Sequence, residues 1–166
     1  IMGKSFVNQK KFENILLCPK CKSNIKLTSQ FAICKQCQAK YKIQNEIIQM
    51  FVDPTSDKSA DVTKKVKQFY EEIPFPNYED YESVSDLVRK SEQGIFAKLL
   101  HEQIPFNSKV LEVGCGTGQL TNFLATGQRE VWGADMSLAS LALGKNFKDM
   151  NNLDRAHFIQ MNLFHP

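Results

Sequence analysis

Four cysteines constrain this chain more than any other feature. Cys18-Pro19-Lys20-Cys21 and Cys34-Lys35-Gln36-Cys37 form a C-x2-C-x12-C-x2-C pattern. The surrounding unit, residues 1–53, has few large apolar side chains, and so small a unit rarely buries enough surface to fold without a staple. The chain's five cysteines are an odd number, which argues against a fully paired disulfide framework. Two tight knuckles whose N–H groups can point at the sulfurs predict a closed tetrahedral site instead, with Cys18, Cys21, Cys34 and Cys37 around a structural zinc ion. Zinc binding then supplies the folding energy that the small core lacks. Residues 24–33, with Ile25, Leu27, Phe31 and Ile33 among polar neighbours, are expected to form the hairpin that joins the knuckles.

Charge divides the chain. Residues 1–53 carry nine Lys and three acids, whereas residues 54–166 carry twelve Lys or Arg and fifteen acids. The ribbon lysines Lys20, Lys22, Lys26, Lys35, Lys40 and Lys42 admit two readings. They solvate a stapled accessory unit, or they grip RNA; the first is favoured, because four thiolates and one zinc ion remove two of the unit's positive charges. Residues 54–61 are polar and aperiodic and read as a linker. With 42% hydrophobic and 23% charged residues the chain is globular rather than disordered. No apolar run approaches the roughly 20 residues that span a bilayer. Residues 1–5 lack the apolar stretch of a signal peptide, and Val7 stands where a myristoylation signal needs Ser or Thr. A soluble, cytoplasmic protein without a membrane partner is expected.

Residues 62–73 are expected to be helical, with Val66, Phe69, Tyr70 and Ile73 at three- and four-residue spacing. Pro74 and Pro76 must end that helix. Residues 85–103 read as a second helix, with Ser85 as N-cap and Leu87, Val88, Ile95, Phe96, Leu99 and Leu100 as its apolar stripe. Strands are expected at Lys109–Val113, Glu130–Ala134 and His157–Met161, with helices over 117–126 and 137–150 between them. Strand and helix in alternation predict a parallel sheet covered by helices. His101 and His157 lie in or beside apolar segments and read as core or surface residues rather than ligands.

The stretch Val110-Leu111-Glu112-Val113-Gly114-Cys115-Gly116-Thr117-Gly118-Gln119 runs an apolar strand into three glycines and then a helix. Such glycines let the backbone turn sharply and let a ligand approach it closely. The dinucleotide pattern G-x-G-x-x-G fails, because Gln119 occupies the third glycine position. The phosphate-loop pattern fails too, for no Gly-Lys-Ser/Thr follows. An acid, Glu112, two residues before Gly114, and then G-x-G-x-G remain. Cys115, between the glycines, reads as a filler residue with nothing nearby in sequence to activate its thiol.

This pattern resembles the first motif of class I S-adenosylmethionine-dependent methyltransferases. The resemblance continues downstream through Val131-Trp132-Gly133-Ala134-Asp135-Met136 and Phe158-Ile159-Gln160-Met161-Asn162-Leu163. It implies that Glu112, Gly114, Gly116 and Gly118 line the cofactor loop. It also implies that Asp135 accepts the ribose hydroxyls, that Met136 faces the adenine, and that Asn162 and Leu163 meet the adenine edge. The family usually has Asp where Asn162 stands, and an amide oxygen can still accept from the adenine amine. The N-terminal unit, from Leu16-Leu17-Cys18 to Tyr41-Lys42-Ile43 and Ile47-Ile48, resembles the zinc ribbon joined to many bacterial methyltransferases. That ribbon usually carries a Pro-Ile pair and a Gly where Lys42-Ile43 and Asn45-Glu46 stand here. The segment Gln68–Tyr78 resembles the pre-core region of such enzymes, read either as a lid over the cofactor or as aromatic packing onto the sheet.

The expected fold class is α/β: an N-terminal zinc ribbon (1–53) and linker (54–61), a helical pre-core region (62–108), and the first half of a Rossmann-like sheet (109–166). The chain stops where a fourth core strand would follow, so a truncated and by itself inactive piece is expected. Its open sheet edge invites self-association. The implied cofactors are S-adenosylmethionine and structural zinc; no catalytic residue is assigned. The acceptor is read as a small molecule, lipid or glycan precursor. The alternatives are an RNA methyltransferase and a non-catalytic interaction module.

Overall fold

In the computed structural model, the residues described are Phe12, 15–53 and 58–163. Four short strands come first: β1 (Ile25–Leu27), β2 (Phe31–Cys34), β3 (Lys40–Gln44) and β4 (Ile47–Gln49). Three helices follow: α1 (Lys58–Glu72), α2 (Val84–Gln93) and α3 (Ile95–Gln103). The alternating unit is β5 (Lys109–Val113), α4 (Gln119–Thr126), β6 (Glu130–Asp135), α5 (Leu138–Met150) and β7 (Ala156–Gln160). Among the described residues, no helix is long and apolar enough to cross a membrane.

All seven strands form one sheet in the order β1-β2-β3-β4-β7-β6-β5. The ribbon half is antiparallel and the other half parallel, and the junction is the parallel pairing of β4 with β7, Ile48 opposite Ile159 and Gln49 opposite Gln160. The bonds Met50 N–H to Gln160 O (2.8 Å) and Asn162 Nδ2 to Val52 O (3.2 Å) extend that junction. The two segments of opposite charge therefore share a sheet. Pairing β7 on both sides removes one of the exposed edges that a three-stranded sheet would carry.

Side-chain alternation along the strands sorts the core into two layers. Val131 and Phe158 point to one face, packing with Leu87, Phe123, Leu124, Leu141 and Phe147 of the helices. Trp132 and Ile159 point to the other, packing with Ile25, Leu27, Tyr41, Ile48 and Met50 of the ribbon. The helices thus cover one face and the ribbon the other. β5 pairs only with β6 among the described strands, and Leu111 and Val113 are 57% and 58% exposed.

Three local expectations need correction. The helix expected over 85–103 is two helices that break at Gly94, whose φ −84° and ψ 118° are extended; glycine is a poor helix former. Its N-cap is Ser83, not Ser85: the Ser83 hydroxyl accepts the Asp86 N–H at 3.2 Å. The break turns Ile95, Phe96 and Leu99 outward, while Leu87 stays buried. The helix expected from 62 begins at Lys58, and its stripe Val66, Phe69, Tyr70 and Ile73 faces away from the sheet.

Buried polar groups tie the helices down. Arg129, 1% exposed, donates to the carbonyls of His101 and Ile104 at the end of α3 and of Leu124 in the last turn of α4. One guanidinium thus caps the negative ends of two helices. Of the two readings left open for His157, core or surface, the structure shows the first: it is buried, its Nε2 lies 2.8 Å from Glu130 Oε2, and its ring stacks on Trp132.

Candidate functional site

A cluster of four cysteines that could hold a metal ion forms at the ends of β1 and β2. Antiparallel pairing of Ile25 with Cys34 brings the knuckles together. The four Sγ atoms of Cys18, Cys21, Cys34 and Cys37 all lie within 4.8 Å of one another, Cys18 to Cys37 at 3.6 Å and Cys21 to Cys34 at 3.4 Å. A tetrahedral zinc–thiolate site with bonds of about 2.3 Å has sulfur–sulfur edges of about 3.8 Å, so the donor set fits. The N–H groups of Gln36 and Cys37 point at Cys34 Sγ, both at 3.4 Å. A backbone N–H from Ser23 holds the Cys21 thiol down at about 6. Cys37, which the Ala39 N–H alone would lower, is pushed up to about 12 by desolvation and by its sulfur neighbours. Crowded thiols separate in this way, and a divalent cation is what lets all four ionise together.

Tyr41 carries no sequence signal that marks it as part of this cluster. Its buried hydroxyl lies 3.1 Å from Cys18 Sγ, the kind of outer partner that orients a ligating sulfur. The departure at Asn45-Glu46 also has an explanation. Both residues have positive φ, 49° and 60°, in the two-residue turn between Gln44 and Ile47. Glu46 then reaches Lys145 at 3.1 Å and Lys148 at 3.9 Å on α5, clamping the ribbon to the helical layer.

The second site lies at the C-terminal ends of β5, β6 and β7, the edge where open α/β sheets bind ligands. Gly114, Gly116 and Gly118 all have left-handed φ, at 74°, 54° and 71°. Gly116 also has the Phe75 backbone close by: an added Cβ would lie 3.0 Å from its carbonyl oxygen. Asp135 ends β6, where its Oδ2 accepts the Gly116 N–H and its Oδ1 the Ser137 N–H, each at 2.9 Å. Each oxygen keeps a further lone pair for a ligand hydroxyl.

Met136 follows on the same loop, its carbonyl accepting from Gln160 Nε2 at 2.8 Å. Leu163 packs against Gly114, with Cδ1 3.7 Å from where a Cβ would be. Asn162 is buried, and its amide donates to Val52 O. Glu112 points toward α4 and bonds the Thr121 hydroxyl. Burial pushes its carboxyl up, against the Thr121 hydrogen bonds, and the Asp135 charge adds to the rise. Cys115 is buried and its thiol is pushed well up by burial, then by Glu112 and Asp135, which fits a filler and not a nucleophile.

The glycine loop also meets the segment after α1. Thr117 Oγ1 donates to Pro76 O, Gln119 Nε2 to Asn77 O at 2.7 Å, and Tyr78 Oη to Thr117 O at 3.1 Å. Tyr78 in turn accepts from Asn122 and stacks on Phe147. The prolines mark this stretch as irregular in the sequence, but nothing there shows which side chains reach the loop.

Residues 110–165 match a family model described as a methyltransferase domain. No curated protein matches the chain. Similar solved structures include a TehB-like SAM-dependent methyltransferase from Corynebacterium glutamicum, at 16% identity over 62% of this chain and 46% of that one, TM-score 0.35. A Pyrococcus horikoshii protein is 18% identical over 58% of this chain and 39% of its own, TM-score 0.40. A coclaurine N-methyltransferase bound to N-methylheliamine and SAH is 16% identical over 64% and 44%, TM-score 0.36. The chain therefore spans less than half the length of each. The segment 110–165, with its glycine loop and its strand-end acid, is thus similar to the methyltransferase-domain family.

Proposed function

We propose that this chain is the cofactor-binding part of an S-adenosylmethionine-dependent methyltransferase with a structural zinc ion in its ribbon. The observation that carries the reading is the meeting of Asp135 with the Gly116 N–H at 2.9 Å, which puts a hydroxyl acceptor beside a glycine loop at the sheet's ligand edge. When bound, S-adenosylmethionine supplies a sulfonium methyl group open to attack by an O, N, S or C nucleophile. Asp135 holds the ribose hydroxyls, Met136 rests on the adenine face, and Asn162 and Leu163 border its edge. The glycines allow the methionine portion close to the backbone. Their shared task is orientation, since holding donor and acceptor in line is worth about 7–11 kcal/mol. Cys18, Cys21, Cys34 and Cys37 hold zinc away from the chemistry, as a closed four-thiolate site must.

Calorimetric titration of the zinc-loaded chain with S-adenosylhomocysteine tests this. Micromolar binding is expected; no binding by a folded chain overturns the assignment of a sufficient site to these residues. For the acceptor we favour a small molecule, lipid or glycan precursor in the cytoplasm. A second reading, RNA, draws on the exposed Lys20, Lys22, Lys26, Lys35, Lys40 and Lys42 of the ribbon. RNA affinity that falls steeply with salt supports it, and salt-insensitive or absent binding removes it.

A further inference from the structure

Helix α1 does not dock through its apolar stripe. Phe69 and Ile73 are more than half exposed, and at its C-terminal end the helix meets α5 through polar groups. Glu71 spends both carboxylate oxygens on α5: Oε1 accepts the Leu138 N–H at 2.8 Å and Oε2 the Ala139 N–H at 2.9 Å. These are among the first N–H groups of a helix, which have no partner within it and carry its positive end. Beside them the Ser137 hydroxyl donates to Tyr70 O and accepts the Ser140 N–H, both at 3.1 Å. The Ser137 N–H holds Asp135 Oδ1, and Asp135 Oδ2 holds Gly116. A continuous run of bonds therefore leads from Glu71 through the start of α5 to the carboxylate at the ligand edge.

We propose that Glu71 is a positioning residue for the cofactor site, aiming Asp135 by satisfying the first N–H groups of α5 in its place. The proposal rests on the cofactor reading above. Asp135 lies two residues before the N-cap Ser137 and already accepts its N–H, so the N–H of Leu138 is the next donor along the chain from that bond. With Glu71 in place, those donors are taken, and the Asp135 carboxylate stays on Gly116 and Ser137. Without it, the uncapped N–H groups and the helix dipole compete for Asp135 and draw it from the ribose. A neutral amide at 71 fails as well, because its NH2 group would face an N–H.

The test uses the zinc-loaded chain with Glu71→Gln, Asp135→Asn and the double variant, all titrated with S-adenosylhomocysteine. Glu71→Gln alone should weaken binding about tenfold. In the Asp135→Asn background the same change should cost less than about twofold, because the two residues act as one unit. Equal losses in both backgrounds, or wild-type affinity in Glu71→Gln, overturn the proposal. Amide hydrogen exchange without ligand separates this idea from the cofactor reading. Glu71→Gln should speed exchange at Leu138, Ala139 and Gly116, and unchanged protection of Gly116 sinks the positioning role. If wild type binds no S-adenosylhomocysteine while these amides respond as expected, the coupling stands and the cofactor reading falls.

Discussion

Asp135 accepts the N–H of Gly116 at 2.9 Å across nineteen residues of sequence, so the end of β6 and the loop after β5 are joined by one carboxylate. The other oxygen of that carboxylate takes Ser137, which makes Asp135 the common point of two loops. Asp135→Ala should therefore weaken S-adenosylhomocysteine binding at least about tenfold, or 1.4 kcal/mol. An unchanged dissociation constant would remove Asp135 from the site.

Gly118 carries a steric demand of its own. It has φ 71°, and an added Cβ would lie 2.4 Å from Phe158 Cε1. Gly118→Ala should cost about 2–4 kcal/mol, from left-handed strain together with overpacking. Urea denaturation measures it. Adding Phe158→Leu should return the packing share and leave the strain. A loss no larger than that of an ordinary surface substitution would mean the close approach does not exist.

Zinc removal should reach beyond the ribbon. β4 is the neighbour of β7, and β7 ends at the residues expected to border the adenine. Chelation should melt the ribbon, expose the β7 edge to hydrogen exchange, and weaken S-adenosylhomocysteine binding in parallel. Tyr41→Phe, which deletes the hydroxyl on Cys18, should lower zinc affinity about tenfold. Zinc affinity should fall with pH, because protons compete for the thiolates. A stripped chain that keeps full protection of β7 would contradict the shared sheet.

Glu112 makes a pH prediction. Its folded carboxyl is raised above the ordinary value, first by burial, so the folded state holds the proton more tightly than the unfolded state. Its contribution is then most favourable at acid pH and is lost as pH rises through the raised value. Glu112→Gln, which stays neutral, should be more stable relative to wild type at neutral pH than at acid pH. Melting temperatures across that range check the sign. A gap that widens toward acid would show that Glu112 is stabilised as a charge.

The pattern of the chain was informative wherever residues close in sequence carry the chemistry. Two cysteine knuckles need only a hairpin to meet, and Ile25 does pair with Cys34. A glycine run after an apolar strand requires left-handed backbone, and Gly114, Gly116 and Gly118 adopt it. Asp135 was legible as a strand-end acid because alternating strands and helices place such ends along one edge. The periodicity of α1 and of residues 85–103 misled, since spacing reports which side chains share a face and not whether anything covers it.

The sequence by itself determined the cluster of four cysteines, the turn glycines and the positions of the three parallel strands along the chain, because each depends on local backbone geometry or on short-range alternation. Only the tertiary structure decided that β4 continues the sheet beyond β7, that Arg129 caps two helices at once, and that Glu71 rather than Glu72 reaches the start of α5. Each of these joins groups distant in the chain to satisfy buried or helix-end backbone polar groups. Which donor meets which acceptor there is set by how the layers pack, and no spacing of residues encodes it.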